Sequence, residues 1–281
     1  MTYLRKPDWL KTKIYCDSKF SQVSMALKKH NLHTICKSGR CPNQSECWSK
    51  GTATLMIGGE ICTRSCKFCN TLTGKPLPLD LNEPKNVAES IQLMQLKYAV
   101  ITSVDRDDLF DHGANHWAET IRQIKLKNPS TNLEVLIPDM DGRNELIDLI
   151  IREKPNIISH NLETVRRLTP LIRTKAKYDT SLQVLNYIAS KGIVSKTGIM
   201  LGLGEKEEEV FQLMDDALEN KCRIITIGQY MQPSKKNIEV YAYIHPEKFE
   251  EYKLIGLQKG FLQVESAPFV RSSYCAENYF E

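Results

Sequence analysis

A chain of 281 residues, 41% hydrophobic and 26% charged, can bury a core without disulfides, which excludes a disordered chain, a collagen-like chain and a coiled coil. Lys and Arg number 38 against 34 Asp and Glu; the net charge of +4 is interleaved along the chain, so no nucleic-acid partner is expected. Nine cysteines in such a chain point to metal or redox chemistry.

Residues 1–50 read as an N-terminal extension. It opens MTYLRKPDWLKTK, without a signal-peptide pattern, and no run of about 18 apolar residues follows anywhere, so a cytoplasmic protein with no membrane span is expected. Short, β-branched, apolar runs come next: Thr54–Ile57, Tyr98–Val104, Leu133–Ile137, Asn156–Ser159, Thr197–Leu201 and Arg223–Ile227. Runs apolar on both faces are the pattern of strands buried in a parallel sheet. Helical patterns lie between them: Val87–Lys97 behind Pro84, a helix capped by Asn115 and running to about Lys127, Asn144–Arg152, Ser181–Lys191 ending at Gly192, and Glu205–Asn220. Leu72–Pro84, with three prolines, reads as a linker. The alternation predicts an α/β fold, a partial parallel (β/α)6 barrel over 51–232, with 233–281 as a C-terminal extension. In such folds chemistry gathers where strands end, which singles out Gly58-Gly59-Glu60, Asp105–Asp108, Pro138-Asp139, His160–Glu163, Gly202–Glu205 and Gly228–Gln232.

Six cysteines cluster between residues 36 and 69 as two triplets. Cys62, Cys66 and Cys69 have the spacing C-x3-C-x2-C; Cys36, Cys41 and Cys47 have C-x4-C-x5-C. A closed tetrahedral zinc site takes four ligands, and a cubane iron–sulfur cluster normally takes four cysteines. A triplet with no fourth cysteine nearby therefore suggests one iron open to another ligand; a structural zinc in an interaction protein is the rival from another class. His112 and His116 read as loop or helix-cap residues rather than a metal pair, and Trp9, Trp48 and Trp117 as packing residues. Cys16 and Cys222 read as buried or free thiols.

The C-x3-C-x2-C triplet, with Phe68 before its last cysteine, resembles the radical S-adenosylmethionine (SAM) enzymes. Two triplets together with CPNQSECW, GTATLMIGGEICTRSCKFCN, ITSVDRDDL, HNLETV, KTGIMLGLGE, GQYMQPS and VRSSY narrow the resemblance to the lipoyl synthase family, over nearly the whole chain. A biotin synthase-like sulfur-inserting enzyme is the rival within the superfamily; it lacks the second triplet and the RSSY motif. The resemblance implies a barrel of radical SAM type and a sulfurtransferase that inserts two sulfurs at C6 and C8 of an octanoyl chain bound to a lipoyl carrier domain. It implies two 4Fe–4S clusters and SAM. Cys62, Cys66 and Cys69 would hold the cluster whose open iron chelates SAM and whose electron releases a 5′-deoxyadenosyl radical. Cys36, Cys41 and Cys47 would hold a sulfur-donating cluster with Ser273 of Arg271-Ser272-Ser273-Tyr274 as fourth ligand, Cys275 being the competitor. Asn161 and Glu163 would contact the ribose, Thr102 and Asp105 the methionine amino end, Arg173 its carboxylate, and Phe68 would line the cofactor. Gly202-Leu203-Gly204 would let backbone approach the cofactor, or simply turn into a helix. Implied partners are octanoylated 2-oxoacid dehydrogenase E2 subunits and glycine cleavage H protein, a one-electron donor such as ferredoxin or flavodoxin, and iron–sulfur assembly proteins. Ser65, Lys67 and Ala267 stand where the family commonly has Arg, Pro and Gly; none is a ligand.

Overall fold

The computed structural model describes residues 5–12, 15, 17–50 and 52–273. Helix α1 (Ser18–Lys29) starts where the Asp17 carboxylate accepts the Phe20 N–H at 2.9 Å. Strand β1 (His33–Thr34) leads into α2 (Ile35–Ser38), capped by the Thr34 hydroxyl, and α3 (Gln44–Ser49) follows. The remaining elements, in chain order, are β2 (Thr54–Ile57), β3 (Ile61–Cys62), β4 (Leu72–Thr73), α4 (Glu83–Leu93), β5 (Tyr98–Ser103), α5 (Ala114–Lys127), β6 (Asn132–Leu136) and α6 (Asn144–Arg152). Then come β7 (Ile157–Ser159), α7 (Thr169–Ile172), α8 (Tyr178–Ser190), β8 (Val194–Leu201), α9 (Glu207–Glu219), β9 (Ile224–Gln229), α10 (Pro246–Lys259) and β10 (Gln263–Ser266).

One eight-stranded sheet runs β1-β2-β5-β6-β7-β8-β9-β10. From β2 onward every pairing is parallel; only β1 pairs antiparallel, His33 opposite Met56. All six expected strands are present and adjacent, in an open α/β barrel. Their apolar character has the expected cause: β2, β7 and β9 are buried at every position. A seventh parallel strand, β10, lies beyond residue 233, where only an extension was expected. Its residues Gln263–Ser266 alternate burial, so it lacked the continuous apolar run that marked the others.

Among the described residues the core falls into two large clusters, one around β2 and β5–β7 and one around β8–β10, and a small third of Met56, Cys62 and Val104. Val23, Leu27 and Trp48 of the N-terminal segment belong to the first cluster, together with Leu55 and Ile57. Several expected boundaries shift: α4 spans Glu83–Leu93 where Val87–Lys97 was expected, and α8 and α9 run Tyr178–Ser190 and Glu207–Glu219 where Ser181–Lys191 and Glu205–Asn220 were expected. Helix α5 begins at Ala114 with Gly113 (φ 82°) as cap residue; Asp111, not Asn115, supplies the capping carboxylate, accepting the Gly113 and Asn115 N–H groups at 3.0 Å each. The start of the expected linker, Leu72-Thr73, is strand β4; it pairs with β3 and closes the base of the cysteine loop.

Candidate functional site

Cys62 ends β3, and the loop from there to β4 carries Cys66 and Cys69, at the rim where the parallel strands end. The loop is held from several sides. Gly74 N donates to Cys62 O, Thr63 N to Asp105 O, and Lys67 N to Ile172 O at 2.9 Å, a bond that a proline at 67 could not make. Ile238 N donates to Lys67 O, and the Asn237 amide to Cys69 O at 2.7 Å. Asn70, just after the last cysteine, donates to Ser38 O at 2.9 Å, so the two cysteine segments adjoin.

Arg64 lies inside the motif and is 6% exposed. It makes paired bonds to Asp107 and to Asp139 between 2.7 and 2.9 Å and lies 3.3 Å from Asp105. Burial by itself would raise Asp139, but the bonds and charge of Arg64 outweigh it and hold that carboxyl at about 2. Asp107, His112 and Asp141 approach one another closely enough to suggest a cation. Lys175 and Arg64 already sit on both carboxylates. His112 and His116 face different partners: His116 Nε2 is 2.6 Å from Glu83, and His112 is 3.4 Å from Asp107. They are loop and helix-start residues, not a metal pair. Trp48 and Trp117 are core residues, and Trp9 meets His245 edge-on.

The residues expected to meet SAM collect around this loop. The Cys62 thiol donates to Asp105 Oδ2 at 3.5 Å, and Asp105 N donates back to the sulfur at 3.4 Å. Burial raises Asp105, with Asp139 and Asp107 adding to the shift against Arg64. Thr102, on β5, donates to Leu136 O. Glu163, at φ 67°, is half-buried, and desolvation raises its carboxyl against the charge of Arg173; its hydrogen-bond donor among the described residues is the Asn161 amide at 3.1 Å. The Asn161 amide oxygen is buried without a partner. Arg173 is anchored through Nη1 to Asn161 O, Leu162 O and Ser181 Oγ, and its charge reaches both Cys66 and Glu163. Phe68 packs against the β8–β10 core cluster. Gly202-Leu203-Gly204 has a packing explanation: the Gly202 and Leu203 N–H groups donate to Glu205, and a Cβ on Gly202 would overlap the Ala242 carbonyl. That is the helix-turn alternative.

A second cavity is lined by Cys36, Cys41, Cys47, Asn43, Thr54, Arg271 and Ser273, among others. Three elements converge there: α2–α3, the start of β2, and the tail after β10. Asn43, between Cys41 and Cys47, is buried and donates to Phe269 O at 2.7 Å. The Thr54 hydroxyl donates to Ser273 Oγ at 2.6 Å. The thiols crowd one another. Burial, then Cys41, pushes Cys36 up to about 11; burial, then Cys36 and Cys41, pushes Cys47 up to about 12. Burial and Asp105 likewise push Cys62 up to about 12. Three thiolates so placed demand a cationic centre, and the residues fit one. The buried Trp48 indole N–H, otherwise unpartnered among the described residues, is directed at the Cys36 sulfur, a donor suited to a sulfur-rich ligand. Cys222 is remote, buried between the starts of β8 and β9 and donating to Ser195 O. Cys16, Tyr274 and Cys275 lie outside the described residues, so the competition between Cys275 and Ser273 has no structural account.

Motif spacing pointed to the cysteines and the family resemblance to Ser273, but neither pointed to Arg64, Asn43, Asn70, Asn237 or Thr54. Their signal was adjacency to a cysteine or a strand start, which many polar residues share.

An open parallel β/α barrel with C-x3-C-x2-C at its rim defines the class: the chain belongs to the radical SAM superfamily, and residues 56–217 match that superfamily's model. Residues 1–41 match the N-terminal domain of lipoyl synthase of that superfamily. The chain is 62% identical to the lipoyl synthase of Parabacteroides distasonis over 99% of both chains. It is 58% identical to that of Treponema denticola over 98% of this chain and 95% of the relative. It therefore belongs to the lipoyl synthase family. Among solved structures, a methylornithine synthase shares the fold with a TM-score of 0.57 at 14% identity, covering 87% of this chain and 69% of that one. Streptococcus suis SuiB bound to S-adenosylmethionine gives 0.59 at 12% identity, covering 79% of this chain and 54% of that one.

Proposed function

We infer that this chain makes lipoyl groups, inserting two sulfur atoms at C6 and C8 of an octanoyl chain carried on a lipoyl carrier domain. The observation that carries this is the pairing of two thiol triplets on adjoining loops. One triplet lies beside Asp105, Glu163 and Arg173; the other faces Ser273. Neither has a fourth cysteine among the described residues.

Cys62, Cys66 and Cys69 would hold one 4Fe–4S cluster with an iron left for SAM; Cys36, Cys41, Cys47 and Ser273 would hold the second. When bound, these groups supply an electron, a hydrogen-abstracting radical and the sulfur atoms, because no side chain acting as a base can deprotonate an unactivated C–H bond. The chain supplies position. Arg173, fixed by two carbonyls and a hydroxyl, offers a rigid cation for the methionine carboxylate. The half-buried Glu163 carboxylate and the buried Asn161 oxygen, without a partner among the described residues, offer acceptors for ribose hydroxyls. Asp105, braced by Arg64, faces the amino end, with Thr102 on the strand before it. Phe68 closes the cofactor side. Ser273, a hard oxygen among sulfurs, is the weaker ligand, as a cluster that must come apart requires.

The acceptors are octanoylated E2 subunits and H protein. The electron donor is a ferredoxin or flavodoxin, and iron–sulfur assembly proteins rebuild the second cluster. A cytoplasmic location is part of the same proposal and follows the family resemblance; separately, no helix among the described residues is long and apolar enough to cross a membrane. The test is an anaerobic assay with reductant, SAM and an octanoylated carrier domain. The expected products are 5′-deoxyadenosine and a carrier with two added sulfurs; deoxyadenosine with an unchanged carrier overturns the assignment.

A further inference from the structure

Inside the barrel, four neighbouring strands each place one polar side chain at a common point. Lys196 of β8 and Glu134 of β6 are 1% and 0% exposed, and the ammonium lies 2.8 and 2.9 Å from the two carboxylate oxygens. Ser159 of β7 and Tyr98 of β5 donate to the same oxygens at 2.7 and 2.6 Å. Such a pair needs a reason, because apolar residues of equal volume stabilise a core at least as well. What an apolar pair could not make is the third bond of Lys196, to the carbonyl of Ser272 at 2.6 Å.

That bond reaches the tail. The tail lies against β8 and β9 where Gly198 and Gly228 leave room; a Cβ on Gly228 would overlap the Val270 carbonyl, and one on Gly198 would come 3.2 Å from Ser272 Oγ. Ser272 is thus held at two atoms, its carbonyl by Lys196 and its hydroxyl by the Asn161 amide at 2.7 Å. The next residue is Ser273, in the cavity with Cys36, Cys41 and Cys47.

We propose that Lys196, neutralised by Glu134, is a positioning residue that fixes the reach of Ser273 toward the second cluster by holding the preceding carbonyl. The proposal rests on Ser273 being a ligand of that cluster. Strand β8 is packed on both sides, so a donor on it fixes the tail to the stiffest part of the molecule. Among the described residues no bond joins Lys196 to either cysteine triplet, and it is assigned no contact with SAM.

The test uses the full chain reconstituted with iron-57 in both clusters, at a temperature where every form is folded. Lys196→Met/Glu134→Gln removes the tether while keeping the core neutral. Lys196→Leu/Glu134→Gln is a second variant, also without a donor at 196, should the first not fold. Two readouts besides activity are the Mössbauer signature of the oxygen-ligated iron and the rate at which bathophenanthroline disulfonate strips the second cluster. Either variant should lose that signature and release the second cluster's iron about ten-fold faster. SAM cleavage at the first cluster should stay within about two-fold of wild type, below the ten-fold scale of a lost supporting contact. A folded variant with wild-type signature and release rate overturns the proposal. Ser273→Ala separates the two levels. If it also leaves the signature unchanged, the ligand assignment falls and the proposal with it; if it alters the signature while the Lys196 variants do not, only the proposal falls.

Discussion

Cys66 and Cys41 sit in loops of the same kind, yet their loss should have different consequences. Cys66→Ala should abolish both deoxyadenosine formation and sulfur insertion. Cys41→Ala should retain deoxyadenosine formation while inserting no sulfur, and each variant should bind about four fewer irons. Product analysis by mass spectrometry with iron assay checks both, and sulfur insertion by Cys41→Ala would refute the donor role. Arg64 illustrates a buried charge with a mechanical task. Replacing it by Leu strands Asp107 and Asp139, and chemical denaturation should show a loss of about 3–5 kcal/mol. The acid side follows from the same contact. Asp139 is held at about 2, below its ordinary 3.8, so its contribution is present above the ordinary value and is lost as pH falls through about 2. Acid unfolding of wild type should therefore steepen below about pH 4, and the Leu variant should lack that component. Arg64 was invisible in the sequence because an arginine between two cysteines looks like any loop arginine. Only the fold brings β5 and β6 to within bonding distance of it.

Among the elements, the tail after β10 carries the most consequence for its length. It is tied by Asn43 to the first cysteine segment, by Thr54 to β2 and by Lys196 to β8. Gly228→Ala forces a methyl group against the Val270 carbonyl, so Ser273 should be displaced. The expected outcome is loss of sulfur insertion with deoxyadenosine formation retained, read by following both products. Asn43→Ala removes one buried bond and should cost about 1–3 kcal/mol in thermal or urea unfolding, because it leaves the Phe269 carbonyl unpaired. The helices and the six expected strands were legible because burial on both faces writes itself as continuous apolar runs. Strand β10, half-buried and alternating, and the two-residue β1, β3 and β4 carry no such run. They exist because neighbouring strands offer partners, and that is not a local property.

At the scale of the molecule, the anaerobically reconstituted chain should hold about eight irons and about eight sulfides, the content of two cubane clusters. Zinc without sulfide, measured by elemental analysis, would point to an interaction protein instead. Without a sulfur source each chain should act about once, since the donor is consumed; many turnovers under those conditions would contradict a sacrificial cluster. The sequence by itself determined the α/β alternation, the two triplets and the absence of a nearby fourth cysteine in each, because these are matters of spacing and local burial. It also marked Asn161 and Glu163, since strand ends in a parallel sheet converge, while Arg173 came from the family resemblance. Only the tertiary structure decided that Ser273 meets Cys36, Cys41 and Cys47, across more than two hundred residues, and that Lys196 and Asn43 hold it there. Those contacts arise from the sheet bringing its first strand, its interior and its last strand to one tail, a closure in three dimensions that no one-dimensional period records.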